Sequence, residues 1–173
     1  MRRALAILAA CLAAAPAADA YSIGGRAWPD GTFTYYTQAR AYAGAVNRAG
    51  RILDHAGTGV HVRRASSLAA ADVIVAYGGS PCEGEATVGF VRYQRDVLDL
   101  GRGCNRGLVT LTAVHEFGHV LGLDHENTVC ARMNPSFDDS GTPTNCRHHA
   151  LSWWLAHPLT ADDKRGLRAI YGG

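Results

Sequence analysis

One eleven-residue run constrains this chain more than any other feature: His115-Glu116-Phe117-Gly118-His119-Val120-Leu121-Gly122-Leu123-Asp124-His125. On a helix, positions i and i+4 lie on one face a turn apart. His115 and His119 therefore present two ring nitrogens to one point, with Glu116 a step round the helix beside it. Gly122 lets the backbone enter the left-handed turn that ends such a helix, so the chain can double back and bring in His125. Three imidazoles with one coordination position left open are the ligand set of a catalytic zinc ion; closed structural sites have four ligands. Glu116 is then placed to act as base on water at the open position. A bare match to the five fixed positions arises by chance in only a few of every ~10⁵ chains of this composition.

Composition bounds the rest. At 173 residues, 47% hydrophobic and 18% charged, the chain is expected to form one globular domain that buries its own core. A net charge of +2 without Lys/Arg blocks gives no footing for a nucleic-acid partner. Arg2 and Arg3, the apolar run from Ala4 to Ala15 and the small-residue site Ala18-Asp19-Ala20 read as a secretory signal over residues 1–20. That leaves 21–173 as the catalytic domain, starting at Tyr21. The apolar run is too short and alanine-rich to span a membrane. A lesser alternative is a lipobox at Leu8-Ala9-Ala10-Cys11, with Cys11 lipid-anchored. Without Cys11, the cysteines left are Cys82, Cys104, Cys130 and Cys146, an even set suited to an oxidising compartment. They permit three pairings and contain no CxxC.

Periodicity gives an α+β order. Thr32 to Thr37 reads as a strand, Ala39 to His55 as a helix, and Val60 to Val62 and Asp72 to Tyr77 as further strands. Thr87 to Tyr93 and Val97 to Leu100 suggest a hairpin pair. A helix from about Leu108 to Leu121 carries the histidines. Asn127 to Leu159 shows little periodicity, and a last helix is expected from Ala161 to Ile170.

The histidine motif, followed by Met133 eight residues after His125 in Ala131-Arg132-Met133-Asn134-Pro135-Ser136-Phe137, resembles the metzincin clan of zinc endopeptidases, and the matrixins in particular. Trp28 to Tyr35, Ala71 to Val75 and Leu159 to Gly172 are similar to the matrixin opening strand, the strand before the cleft and the C-terminal helix. The resemblance implies a twisted, mostly parallel sheet of about five strands with an active-site helix, a Met-turn and a C-terminal helix. It implies that Met133 forms an apolar base beneath the ligands without binding metal. It also implies that Asn134 to Phe137 wall the pocket for the residue after the scissile bond. Pro135 would fix the backbone there and Phe137 would offer an apolar face, so cleavage before Leu, Ile, Met or Phe is expected. The Asp162-Asp163 pair reads as a helix N-terminal cap; in matrixins a similar pair anchors the Met-turn or the mature N-terminus.

There are departures from the matrixin pattern. No propeptide fits between the signal and Trp28, and no histidine between His61 and His115 serves a second zinc. The Cys82 to Cys104 region and Glu126 look more like astacins, in which the counterpart of Glu126 pairs with the mature amino group. Asn134, however, stands where astacins place a zinc-binding tyrosine. The expected disulfides are the local ones, Cys82–Cys104 and Cys130–Cys146, each worth roughly 3 kcal/mol in the chain-entropy model.

The reading is a secreted (extracellular or periplasmic) monomeric zinc metalloendopeptidase with one catalytic Zn2+ and a protein or peptide substrate. Two alternatives are an inactive zinc-containing binding module and a toxin-like peptidase with one host substrate. Asp96 and Asp99 make only a weak case for calcium, and His148, His149 and His157, near two tryptophans, only a weak case for a second metal.

Overall fold

The computed structural model describes residues 20–138, 141–146 and 149–172. The signal and lipobox readings, and His148, lie outside these residues. Five strands form the main sheet: β2 (Thr32–Thr37), β3 (His61–Arg64), β4 (Val73–Tyr77), β5 (Gly84–Ala86) and β6 (Asp96–Leu100), in the order β3-β2-β4-β6-β5. The first four run parallel and β5 is antiparallel at the edge. This is the mostly parallel five-stranded sheet expected. The helices are α1 (Ala43–Asp54), α2 (Arg106–Val120), α3 (Leu151–Ala156) and α4 (Ala161–Tyr171).

Side chains alternate across a strand, so Phe33 and Tyr35 of β2 meet Val73 and Val75 of β4 and Leu98 and Leu100 of β6 on one face. The helices α1 and α2 cover that face, contributing Val46, Leu53, Val114 and Phe117. The Phe117 ring lies 5.6 Å from Phe33 and 5.2 Å from Tyr35, fixing α2 to the sheet at the level of the histidines. Trp28 locks the other end, its indole N–H donating to the Val120 carbonyl at 2.7 Å. Helix α2 is buried from Val109 to Val120 apart from Thr112, which accounts for the absence of a strong polar face. It starts two residues earlier than expected because the Asn105 side chain accepts from Gly107 N and Leu108 N. It ends at Val120, and Gly122, with a φ of 95°, supplies the reversal.

Four expectations need correction. Helix α1 begins at Ala43, after a 3-10 turn at Arg40–Tyr42, because the amides of Gln38 and Ala39 are still bonded to Val75 of β4. The third strand begins at His61 and runs to Arg64, where it stays in register with Tyr35. Residues 87–93 form no strand: Gly89 N donates to His119 O and Phe90 N to Arg26 O, so their backbone partners lie outside the sheet. The hairpin partner of β6 is Gly84–Ala86 instead. Finally, the segment from Asn127 to Leu159 contains α3, whose Trp154 is fully buried against Leu111 and Cys146. A further two-residue pairing joins β1 (Ser22–Ile23) to β7 (Leu123–Asp124). Both expected disulfides are present, with Cα–Cα separations of 5.2 Å for Cys82–Cys104 and 5.0 Å for Cys130–Cys146.

Candidate active site and metal centre

The three histidines converge. His119 Nε2 lies 3.1 Å from His115 Nε2 and 3.2 Å from His125 Nε2. A tetrahedral ion with Zn–N bonds of 2.0–2.1 Å sets its ligand nitrogens about 3.3 Å apart, so the cage fits zinc. The far ring nitrogens are already engaged: His115 Nδ1 donates to the Arg132 carbonyl at 2.8 Å and His119 Nδ1 to the Leu123 carbonyl at 2.9 Å. Those bonds fix the tautomer that leaves each Nε2 lone pair free for metal. Burial keeps both rings neutral, the His115 pKa falling to about 3 and that of His119 also moving down.

Glu116 points into the same cleft, 4% exposed. Burial, reinforced by the charge of Glu85, raises its pKa to about 8 in the metal-free chain. Gly84 makes room for this carboxylate: a Cβ there would sit 2.5 Å from Glu116 Cγ. Met133 lies under the helix, its Sδ so close to Gly118 that a Cβ on that glycine would be 2.5 Å away. It packs against Gly118, between the two helical histidines in sequence, and lies outside the histidine cluster.

The Met-turn is held by two devices. The Asp163 carboxylate accepts from Arg132 N at 3.0 Å and Met133 N at 3.1 Å while also closing the capping box with Thr160. Both readings of this residue hold together. The Asn134 side chain faces inward and donates to the carbonyls of Glu126 and Val129. It is therefore no part of the pocket wall, and it takes no tyrosine-like place beside the histidines. Glu126 accepts from Thr128 and Val129 instead of an amino group, closing its own loop. Asp162 meets the N-terminal segment, its Oδ1 accepting from Ala20 N at 3.3 Å and from Arg165 at 2.8 Å. His149 and His157 stack on Trp153, at 3.6 Å and 4.5 Å.

The cleft measures about 850 Å³. Glu83 and strand β5 line it, together with Pro135, Ser136 and Phe137. Phe137 packs edge-on against the His115 ring at 5.3 Å. Leu108 and Leu111 of α2, together with Arg132 and Asp138, line a recess of the same cleft. Sequence reasoning missed Arg132, Glu85 and Gly84. Only Arg132 carried a signal, the lone charge in the run from Ala131 to Phe137.

Comparison with known proteins agrees with this geometry. The Matrixin family model matches residues 105–172, and the Astacin family model matches residues 21–134. The chain is 43% identical over 63 residues to the macrophage metalloelastase of Oryctolagus cuniculus, covering 36% of this chain and 11% of that protein. It is 41% identical over 73 residues to human matrix metalloproteinase-27, covering 42% and 11%. Matrix metalloproteinase-B of Caenorhabditis elegans matches at 33% over 81 residues, covering 47% and 13%. The match thus spans about a tenth of the length of these relatives. With a histidine cage that fits zinc, a Met-turn beneath it and the astacin model extending over about two-thirds of the residues, the chain belongs to the metzincin zinc endopeptidases, with a matrixin-like catalytic domain.

Proposed function

We propose that the chain is an exported endopeptidase that cleaves an extended polypeptide by water attack, with Glu116 moving the protons. The observation that carries this is the convergence of three Nε2 atoms, 3.1 and 3.2 Å apart, beside a buried carboxylate in one cleft. His115, His119 and His125 would hold the metal. Bound zinc supplies Lewis acidity, lowering the pKa of water to about 7 and polarising the scissile carbonyl. Glu116 takes a proton from the attacking water as the new C–O bond forms. It then returns that proton to the amine nitrogen as the C–N bond breaks. The free edge of β5, at Gly84–Ala86, is the strand to which an extended substrate would add by β-augmentation.

Two disulfides support maturation in an oxidising compartment, and no described helix is long and apolar enough to cross a membrane. Signal cleavage after Ala20 would free the Tyr21 amino group next to the Asp162 carboxylate. N-terminal sequencing of the exported protein should read from Tyr21; a lipid-modified Cys11 would contradict it.

The test of activity is hydrolysis of casein and gelatin by the purified monomer, abolished by a chelator and restored by stoichiometric zinc. Full zinc loading with no cleavage of either would favour the two other readings, an inactive binding module or a peptidase with one dedicated substrate.

A further inference from the structure

Arg132 is the least expected residue in the cleft. The residue is 1% exposed, yet it lines the cleft that holds the histidines. Its guanidinium lies 4.2 Å from the Trp154 ring and 5.4 Å from the Phe137 ring, which cover it as flat apolar faces. Two of its nitrogens, Nε and Nη2, are buried with no hydrogen-bond partner among the described residues. A buried cation with unbonded donors is costly, and these two are adjacent on the guanidinium, forming the side-on fork that receives both oxygens of one carboxylate.

Among the described residues, no carboxylate fills that fork. The Asp163 oxygens are occupied by the amides of Arg132, Met133 and Thr160 and by the Thr160 hydroxyl. Asp138, on the wall of the same recess, accepts from Thr142 N at 3.0 Å. Glu83, Glu85 and Glu116 line the same cleft, and Arg132 is the one arginine among the described residues that line it.

We propose that the pocket for the residue just after the scissile bond takes an acidic side chain, Asp or Glu, with Arg132 as the specificity-determining residue. This rests on the peptidase reading above and replaces the aliphatic preference expected from Pro135 and Phe137. A substrate carboxylate entering the cleft would give the fork an acceptor that none of the described residues supplies. An aliphatic side chain leaves both donors unsatisfied, and that difference is what discriminates between substrates.

The test is a peptide library on the zinc-loaded wild-type enzyme, varied only at the position after the scissile bond. Glu or Asp should exceed Leu by about 10- to 100-fold in kcat/KM, the range expected for charge-assisted hydrogen bonds. Arg132→Leu should invert the order, and Arg132→Lys, which keeps the charge without the fork, should fall between. The wild-type profile needs no folded variant. Preference for Leu, Ile, Met or Phe in the wild type overturns this pocket assignment alone, whereas failure to cleave any member overturns the peptidase reading itself.

Discussion

Asp163→Ala should be the most damaging substitution outside the metal ligands. Four hydrogen bonds end on this carboxylate: from Thr160 N, Thr160 Oγ1, Arg132 N and Met133 N. Asp163 is 1% exposed, so water cannot replace it. Orphaning the two Met-turn amides costs about 1–3 kcal/mol each, and loss of the capping box adds about 1 kcal/mol. The sum is about 5 kcal/mol, a fall in Tm of roughly 10–20 °C for a domain of this size. The damage also reaches the metal, because the Arg132 carbonyl between these amides holds His115 Nδ1. Urea unfolding of the zinc-loaded protein, followed by tryptophan fluorescence, measures the loss. Thr160→Ala is the control, since it removes only the cap and should cost about 1 kcal/mol. If Asp163→Ala costs no more than Thr160→Ala, the Met-turn is not anchored through this residue and the reasoning fails.

Two further outcomes are expected. Asp96 shares a cross-strand row with Val73 and Tyr35, so its carboxyl faces the core, fully buried and without a partner among the described residues, and its pKa rises from 3.8 to about 6. The folded state then holds its proton more tightly than the unfolded state. Stability should be greatest below about pH 4 as far as this group is concerned, and fall as pH rises through about 6. Asp96→Asn should remove that slope and raise stability at pH 7 by up to about 3 kcal/mol; parallel denaturation curves at pH 4 and pH 7 for both proteins would contradict it. Gly84→Ala places a Cβ against the Glu116 carboxylate. It should lower kcat by about 10- to 100-fold through misplacement while leaving the zinc content unchanged. Unaltered kcat would show that the edge strand does not set the position of Glu116.

The strongly periodic parts of this fold could be read without coordinates. The ligand spacing, the reversal at Gly122 and strand β2 all follow from local rules. Misreadings arose where distant partners decide the backbone. The Val, Phe and Tyr residues of 87–93 have strand-like composition, yet the amides of Gly89 and Phe90 bond to His119 and Arg26. The pairing of Ser22–Ile23 with Leu123–Asp124 is too short to leave a period, and α3, at six residues, completes less than two turns. At the site, ligands announce themselves by residue type, but the character of the recess does not. Pro135 and Phe137 suggest an apolar pocket, and only the fold shows that Arg132 borders it, stacked between Phe137 and Trp154. Glu126 likewise has the sequence position of an amino-group partner, while its loop geometry turns it to Thr128 and Val129.

If three histidines bind the metal and Glu116 does chemistry without binding it, metal content and peptide hydrolysis should part company in Glu116→Ala and fall together in His119→Ala. Glu116→Ala should retain one zinc per chain and lose nearly all turnover, while His119→Ala should lose both. A Glu116→Ala protein devoid of zinc, or one cleaving peptides at near-normal rate, would overturn this division of roles.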